Sequence, residues 1–215
     1  AWLGVSAQYI GVEGGDAAVG LGGLTDGLRR HTPERYGDLH HPGDAYSYDI
    51  MTQLAEYARV PEPGGPLGDL RPTTVIAVGE SQSAFALTSY VNGVHPFTGA
   101  FDGYFLHSRG AGSLPYDDRG RGSDISASLF NGPVRLREDV DVPVMLLQAE
   151  GDLTFPMGFA PARQPDSANI VTWEIAGSAH ADVFQLGEFA PFVDCGGPIN
   201  NGQQAFVLRA ALRHL

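Results

Sequence analysis

The stretch Thr73-Thr-Val-Ile-Ala-Val-Gly-Glu-Ser-Gln-Ser-Ala-Phe-Ala-Leu87 decides the fold. Its β-branched run, Thr73 to Val78, gives way to Gly79-Glu80-Ser81-Gln82-Ser83, and a helical pattern follows at once with Phe85, Leu87, Tyr90 and Val91. A strand, a tight turn and a helix around one serine form the pattern of a nucleophile elbow. There the serine Oγ stands exposed with a helix N-terminus behind it. The turn needs small residues two before and two after the serine, so that strand and helix approach closely. Gly79 meets that need and Ser83 nearly does, glycine being the usual residue. A serine-rich helix cap after a strand is the plainer alternative, because serine is a favoured N-cap.

A serine at neutral pH needs a base, and the base needs an orienting acid. In this pattern they follow in the order nucleophile, acid, histidine, each just past a strand. Pro143 to Gln148 is an apolar run that closes on Ala149-Glu-Gly-Asp152, and Asn169 to Ile175 is another that leads into Ala176-Gly-Ser-Ala-His180. The interval between Asp152 and His180 has room for one crossover helix. His180 is therefore the candidate base. For the acid, Glu150 and Asp152 share one turn. Ala149 three residues before and Pro156 four residues after suit Asp152, while Glu150 is the alternative, able instead to turn away and accept a backbone N–H. The N–H of Gln82 is the expected first donor to an oxyanion.

Elsewhere, Trp2 to Gln8 and Phe101 to Leu106 read as further short buried strands. Residues 44–59 read as a helix, with Tyr46, Ile50, Leu54 and Tyr57 spaced by three and four and with Asp44 or Ser47 placed to cap it. Phe206 to Leu215 reads as a closing amphipathic helix. Strands alternating with helices imply right-handed crossovers and a parallel sheet, an α/β fold. Residues 9–43 and 108–140 are long, polar, Gly-rich excursions, in the places where caps would sit and set substrate choice. No repeat or second domain is evident, so the expected unit is one domain over 1–215.

Composition removes several function classes. Formal charge is -12, from 25 acidic and 13 basic residues, and every basic residue is arginine. So acidic a chain repels phosphate backbones and anionic lipid, which argues against nucleic-acid and membrane-surface partners. No apolar run approaches the ~18 residues of a membrane span. The opening residues have neither the basic n-region nor the apolar h-region of a signal peptide.

The segments Trp2-Leu-Gly-Val-Ser-Ala-Gln8, Gly79-Glu-Ser-Gln-Ser83, Phe101-Asp-Gly-Tyr-Phe-Leu-His-Ser-Arg109, Arg163-Gln-Pro-Asp166 and Trp173-Glu-Ile-Ala-Gly-Ser-Ala-His-Ala-Asp182 together resemble the "alpha/beta hydrolase domain" family of bacterial serine esterases. The resemblance runs over nearly the whole chain. It implies the α/β-hydrolase fold, a triad of Ser81, an acid and His180, and no cofactor. It also places Trp2 to Gln8 at that fold's fourth strand, so that the first three strands and the loop carrying the second oxyanion donor are absent. On that expectation Trp2 to Gln8 pairs directly with Thr73 to Val78 or leaves a gap, an apolar sheet edge is exposed, and the chain either self-associates or meets a partner that supplies the missing strands, or is a fragment of a longer protein.

The expected activity is cleavage of a small-molecule carboxylic ester through an acyl-enzyme. Acyl transfer by the same triad, or a non-catalytic binding role on the same fold, are the alternatives. His31, His40, His41 and Asp44 lack the tight spacing of a metal site, and none is expected. His107 and Arg109 either line the pocket or pair with the Asp117-Asp118 region. Cys195 reads as a buried structural thiol, and Gly20 to Gly23 as flexible loop.

Overall fold

The computed structural model describes residues 1–15, 26–194 and 196–215; Gly20 to Gly23 and Cys195 lie outside them. Parallel strands covered on both faces must be apolar throughout rather than alternating. That is how the centre of the sheet is built. Four strands, β1 (Ile76–Glu80), β2 (Gly103–His107), β3 (Val144–Ala149) and β4 (Ile170–Ile175), lie side by side in that order, every pair parallel. All residues of β2 and β3 are buried. The register sets Glu80 opposite His107 and Ala149 opposite Ile175, so the carboxyl ends of the strands lie in line.

Helices cover both faces. The helix Gln82–Ser89 packs on β1 and β2, and Tyr90, just after it, meets Tyr104 of β2 with ring centroids 6.0 Å apart. On the opposite face the C-terminal helix Gln203–His214 inserts Ala211 against Phe105, Met145 and Leu147, with Val171, Trp173 and Ile175 around them. The α/β class, with a parallel sheet between helices, agrees with the expectation from sequence.

The described chain forms two compact units, one of residues 1–75 and 114–128 and one of residues 76–113 and 129–215. The first is helical, with Tyr9–Glu13, Leu28–His31, Pro33–Tyr36 and Ser47–Arg59. Buried Asp44 is its pin. The carboxylate accepts the N–H of Tyr9 at 2.6 Å, the N–H of Ser123 at 2.7 Å and the Ser47 hydroxyl at 3.1 Å. Asp44 and Ser47 therefore do not cap the helix Ser47–Arg59, which has no side-chain cap. Glu13 accepts from Arg29 and from the His41 N–H, and His41 Nε2 lies 2.9 Å from the Ala7 carbonyl.

Two expectations are corrected. Residues 1–7 are not a strand; Trp2 is 73% exposed, and the chain bends at Gln8 into a short helix. An apolar run becomes a strand only where a ladder receives it, and Gly4 and Ser6 weaken this one further. It is therefore not one of the strands of the described sheet. Likewise, no α-helix crosses from β3 to β4. Pro156, Pro161 and Pro165 interrupt that interval, which holds only the 3-10 turns Glu150–Asp152 and Ala160–Ala162.

Candidate active site

The turn from β1 into its helix is sharp because residue 79 has no side chain. A Cβ there would lie 2.7 Å from the Ser83 carbonyl oxygen and 2.9 Å from Leu87 Cδ1. The serine that follows adopts φ 50°, ψ -119°, a conformation that costs a non-glycine residue on the order of 1–3 kcal/mol. The surroundings over-determine it. Ser81 donates its N–H to the His107 carbonyl at 3.0 Å, and its own carbonyl accepts from Ala84 and Phe85 in the first helical turn. Gln82 opens the helix, so its N–H has no carbonyl four residues back within that helix and lies at the positive end of the helix dipole.

Asp152 sits in the turn after β3 and is fully buried. One carboxylate oxygen accepts the Ala149 N–H at 2.7 Å; the other lies 2.6 Å from His180 Nδ1. His180 Nε2 in turn lies 3.0 Å from Ser81 Oγ. The three side chains thus form one hydrogen-bonded line past the carboxyl ends of β1, β3 and β4. Glu150 turns away from it. Its Oε2 accepts the Gly177 N–H at 2.6 Å, tying the acid-bearing turn to the histidine loop.

The surroundings of His180 shift its titration upward. Burial opposes the charge, but the hydrogen bond that His180 Nδ1 donates to Asp152, that carboxylate's charge and the charge of Glu80 together outweigh burial. They hold the imidazole above the ordinary histidine value of 6.5. His107, 3% exposed at the end of β2, behaves oppositely: burial lowers its pKa despite the pull of Glu80, Asp152 and Asp182. The two neighbouring histidines are thus shifted in opposite directions.

His107 lies 3.6 Å from Glu80 through Nδ1. Arg109 finds its partners within its own unit. Its guanidinium is almost wholly buried, donates to the carbonyls of Gly110, Ala111 and Val134, and lies over the Phe159 ring; burial pushes its pKa down to about 9. Asp118, in the other unit, pairs with Arg121. The arginine staples the segment after β2 rather than forming an ion pair.

Sequence reading passed over Glu80 and Gln185. Gln185 donates from Nε2 to Glu80 Oε1 while its Oε1 accepts the Asp182 N–H at 3.2 Å. The one local signal was Asp182-x-x-Gln185, a capping-box spacing directly after His180. Asn200 and Gln204 were missed as well; Asn200 Oδ1 accepts the Ala179 N–H at 2.7 Å, and Gln204 donates to the Ala179 carbonyl.

Among the described residues no group of three or more His, Cys, Asp and Glu is arranged to hold a metal, and no helix is long and apolar enough to cross a membrane. A family model described as "Alpha/beta hydrolase domain" matches residues 1–215. No curated protein and no solved structure matches the chain.

Proposed function

Because this chain belongs to the alpha/beta hydrolase domain family, we propose that it cleaves carboxylic esters through an acyl-enzyme on Ser81. The observation that carries the reading is the line Ser81 Oγ, His180, Asp152 at 3.0 and 2.6 Å, begun on a serine held at positive φ. Such strain in a non-glycine residue persists where the surroundings impose it, and it turns the hydroxyl toward the histidine.

In the proposed cycle Ser81 Oγ attacks the ester carbonyl carbon as His180 Nε2 takes the hydroxyl proton. The Gln82 N–H receives the oxyanion. The tetrahedral intermediate collapses, the bond to the alcohol oxygen breaks, and His180 returns its proton to that oxygen. A water then repeats the sequence on the acyl-serine, giving the acid and free Ser81. Asp152 keeps the Nδ1 proton in place and balances the imidazolium throughout.

The test is twofold. A fluorophosphonate probe should label Ser81 in the native chain, and Ser81→Ala should abolish both labelling and p-nitrophenyl acetate hydrolysis. An unlabelled Ser81 in folded protein would instead favour a binding role on the same fold, and activity surviving in Ser81→Ala would remove this serine from the chemistry.

A further inference from the structure

We propose that Glu80 and Gln185 are positioning residues of this site, a polar clamp that fixes the histidine loop against the strand carrying Ser81. The inference rests on the Ser81–His180 reading above and concerns what keeps those two side chains in register.

Gln185 works at both ends of its amide. Its Oε1 accepts the Asp182 N–H at 3.2 Å while Asp182 Oδ1 accepts the Gln185 N–H at 2.9 Å. This reciprocal box starts the helix Val183–Leu186, whose N-cap Asp182 lies two residues after His180. The Nε2 end donates to Glu80, the residue immediately before Ser81. The same Glu80 oxygen lies 3.6 Å from Nδ1 of His107, whose carbonyl holds the Ser81 N–H. One amide therefore joins the loop of the base to the strand of the nucleophile, and Glu80, at the end of β1, is where they meet.

Glu150 makes the matching tie on the other flank, from the acid-bearing turn to Gly177. The charged and titratable groups facing His180 are then Asp152 from the turn after β3, Glu80 from β1 and His107 from β2, with buried Asp182 on its own loop facing His107. Glu80 also places a carboxylate where it favours the imidazolium that forms when His180 takes the serine proton. A half-exposed Glu–Gln contact adds little to global stability. Its weight is geometric, because a misplacement of about 1 Å between reacting groups costs on the order of a hundredfold in rate.

Gln185→Glu keeps an acceptor for the Asp182 N–H, and so keeps the capping box, but sets two carboxylates face to face. Adding Glu80→Gln exchanges donor and acceptor and restores the pairing. The clamp predicts that Gln185→Glu loses between about tenfold and a hundredfold in kcat with little change in KM, and that the double variant returns to within about threefold of the native rate. It predicts also that Glu80→Gln alone lowers the pKa of the His180 ring, followed by NMR titration, because a charge favouring the imidazolium is gone while the hydrogen bond survives. A native kcat in Gln185→Glu, a double variant no better than the single one, or an unmoved His180 titration in Glu80→Gln overturns the clamp. The titration needs no turnover. If the native chain cleaves no ester, the esterase reading falls, while the clamp is still decided by the histidine's response.

Discussion

Asp152→Asn separates geometry from charge within the line Ser81–His180–Asp152. The carboxylate has two fixed partners, the Ala149 N–H at 2.7 Å and His180 Nδ1 at 2.6 Å. A backbone N–H can only donate, so the new amide must point its oxygen at Ala149. Its NH2 then faces His180, and Nδ1 must become an acceptor. The proton moves to Nε2, the atom that lies 3.0 Å from Ser81 Oγ and has to accept the serine proton. The site keeps its shape and holds the wrong tautomer. A triad aspartate so replaced costs about 10⁴ in kcat, or about 5.5 kcal/mol at 1.36 kcal/mol per decade. The unfolding midpoint in urea should move little, since both hydrogen bonds persist. Glu150→Gln is the control: its oxygen still accepts the Gly177 N–H, so it should cost less than about tenfold. Initial rates of p-nitrophenyl acetate hydrolysis measure both. If Asp152→Asn keeps a tenth of native kcat, or Glu150→Gln proves the worse of the two, the tautomer argument is refuted and Glu150 takes over as the candidate acid.

Four further expectations each rest on a single feature. Ser81→Gly should be more stable in urea than Ser81→Ala by about 1 kcal/mol, since both lack the hydroxyl but only glycine accepts φ 50° without strain; equal stabilities would mean that the elbow stores none. The base must be neutral to act, and His180 is held above 6.5, so the acidic limb of kcat/KM should lie above that pH; a limb below it contradicts the dominance of Asp152 and Glu80 over burial. By the same sign, the ion pair's contribution to stability is complete below the unfolded histidine value and fades as pH rises through the folded one, which a pH series of urea melts on native and His180→Ala chains would read. Tyr104→Phe should cost about 1–3 kcal/mol, because the buried phenol meets His95 Nδ1 at 2.9 Å and its loss orphans that nitrogen; a change under about 0.5 kcal/mol would show that the imidazole finds another partner.

The sheet was legible wherever burial on both faces leaves an unbroken apolar run. β2 and β3 show this plainly, and their observed bounds differ from the expected ones by a residue or two. The same signal misled at Trp2 to Gln8, where hydrophobicity is present but no strand forms among the described residues; an apolar run records what a segment prefers to bury, not what it pairs with. The crossover after β3 was misjudged for a related reason, since the interval was measured in length while Pro156, Pro161 and Pro165 forbade a continuous helix. In the candidate site, Ser81, Asp152 and His180 were picked out by their places at strand ends, and the structure sets them in hydrogen-bonding distance; their catalytic roles rest on the experiments above. Glu80 and Gln185 stayed hidden because their contact spans 105 positions of the chain. Only Asp182-x-x-Gln185 was local enough to read.

The three candidate residues are held by unequal means. Ser81 is fixed by the β1 ladder, the helix behind it and its N–H bond to the His107 carbonyl. Asp152 is walled in, with one oxygen spent on Ala149. His180 has neither advantage. It follows β4, the outermost strand of the described sheet, on a loop of Gly177, Ser178 and Ala179 that offers no bulk to pack. Hydrogen bonds substitute for packing there. Glu150 takes the Gly177 N–H, the Gly151 N–H reaches the Ser178 carbonyl, Asn200 and Gln204 grip Ala179 on both its polar groups, and Gln185 closes the far side through Asp182 and Glu80. Each bond is worth only about 0.5–1.5 kcal/mol net, or somewhat more where a charge takes part. The loop is therefore restrained by many modest ties rather than one strong one. Loss of a single tie should loosen the base by degrees, whereas loss of the Asp152 carboxylate changes which nitrogen carries the proton, a change that the remaining ties cannot offset.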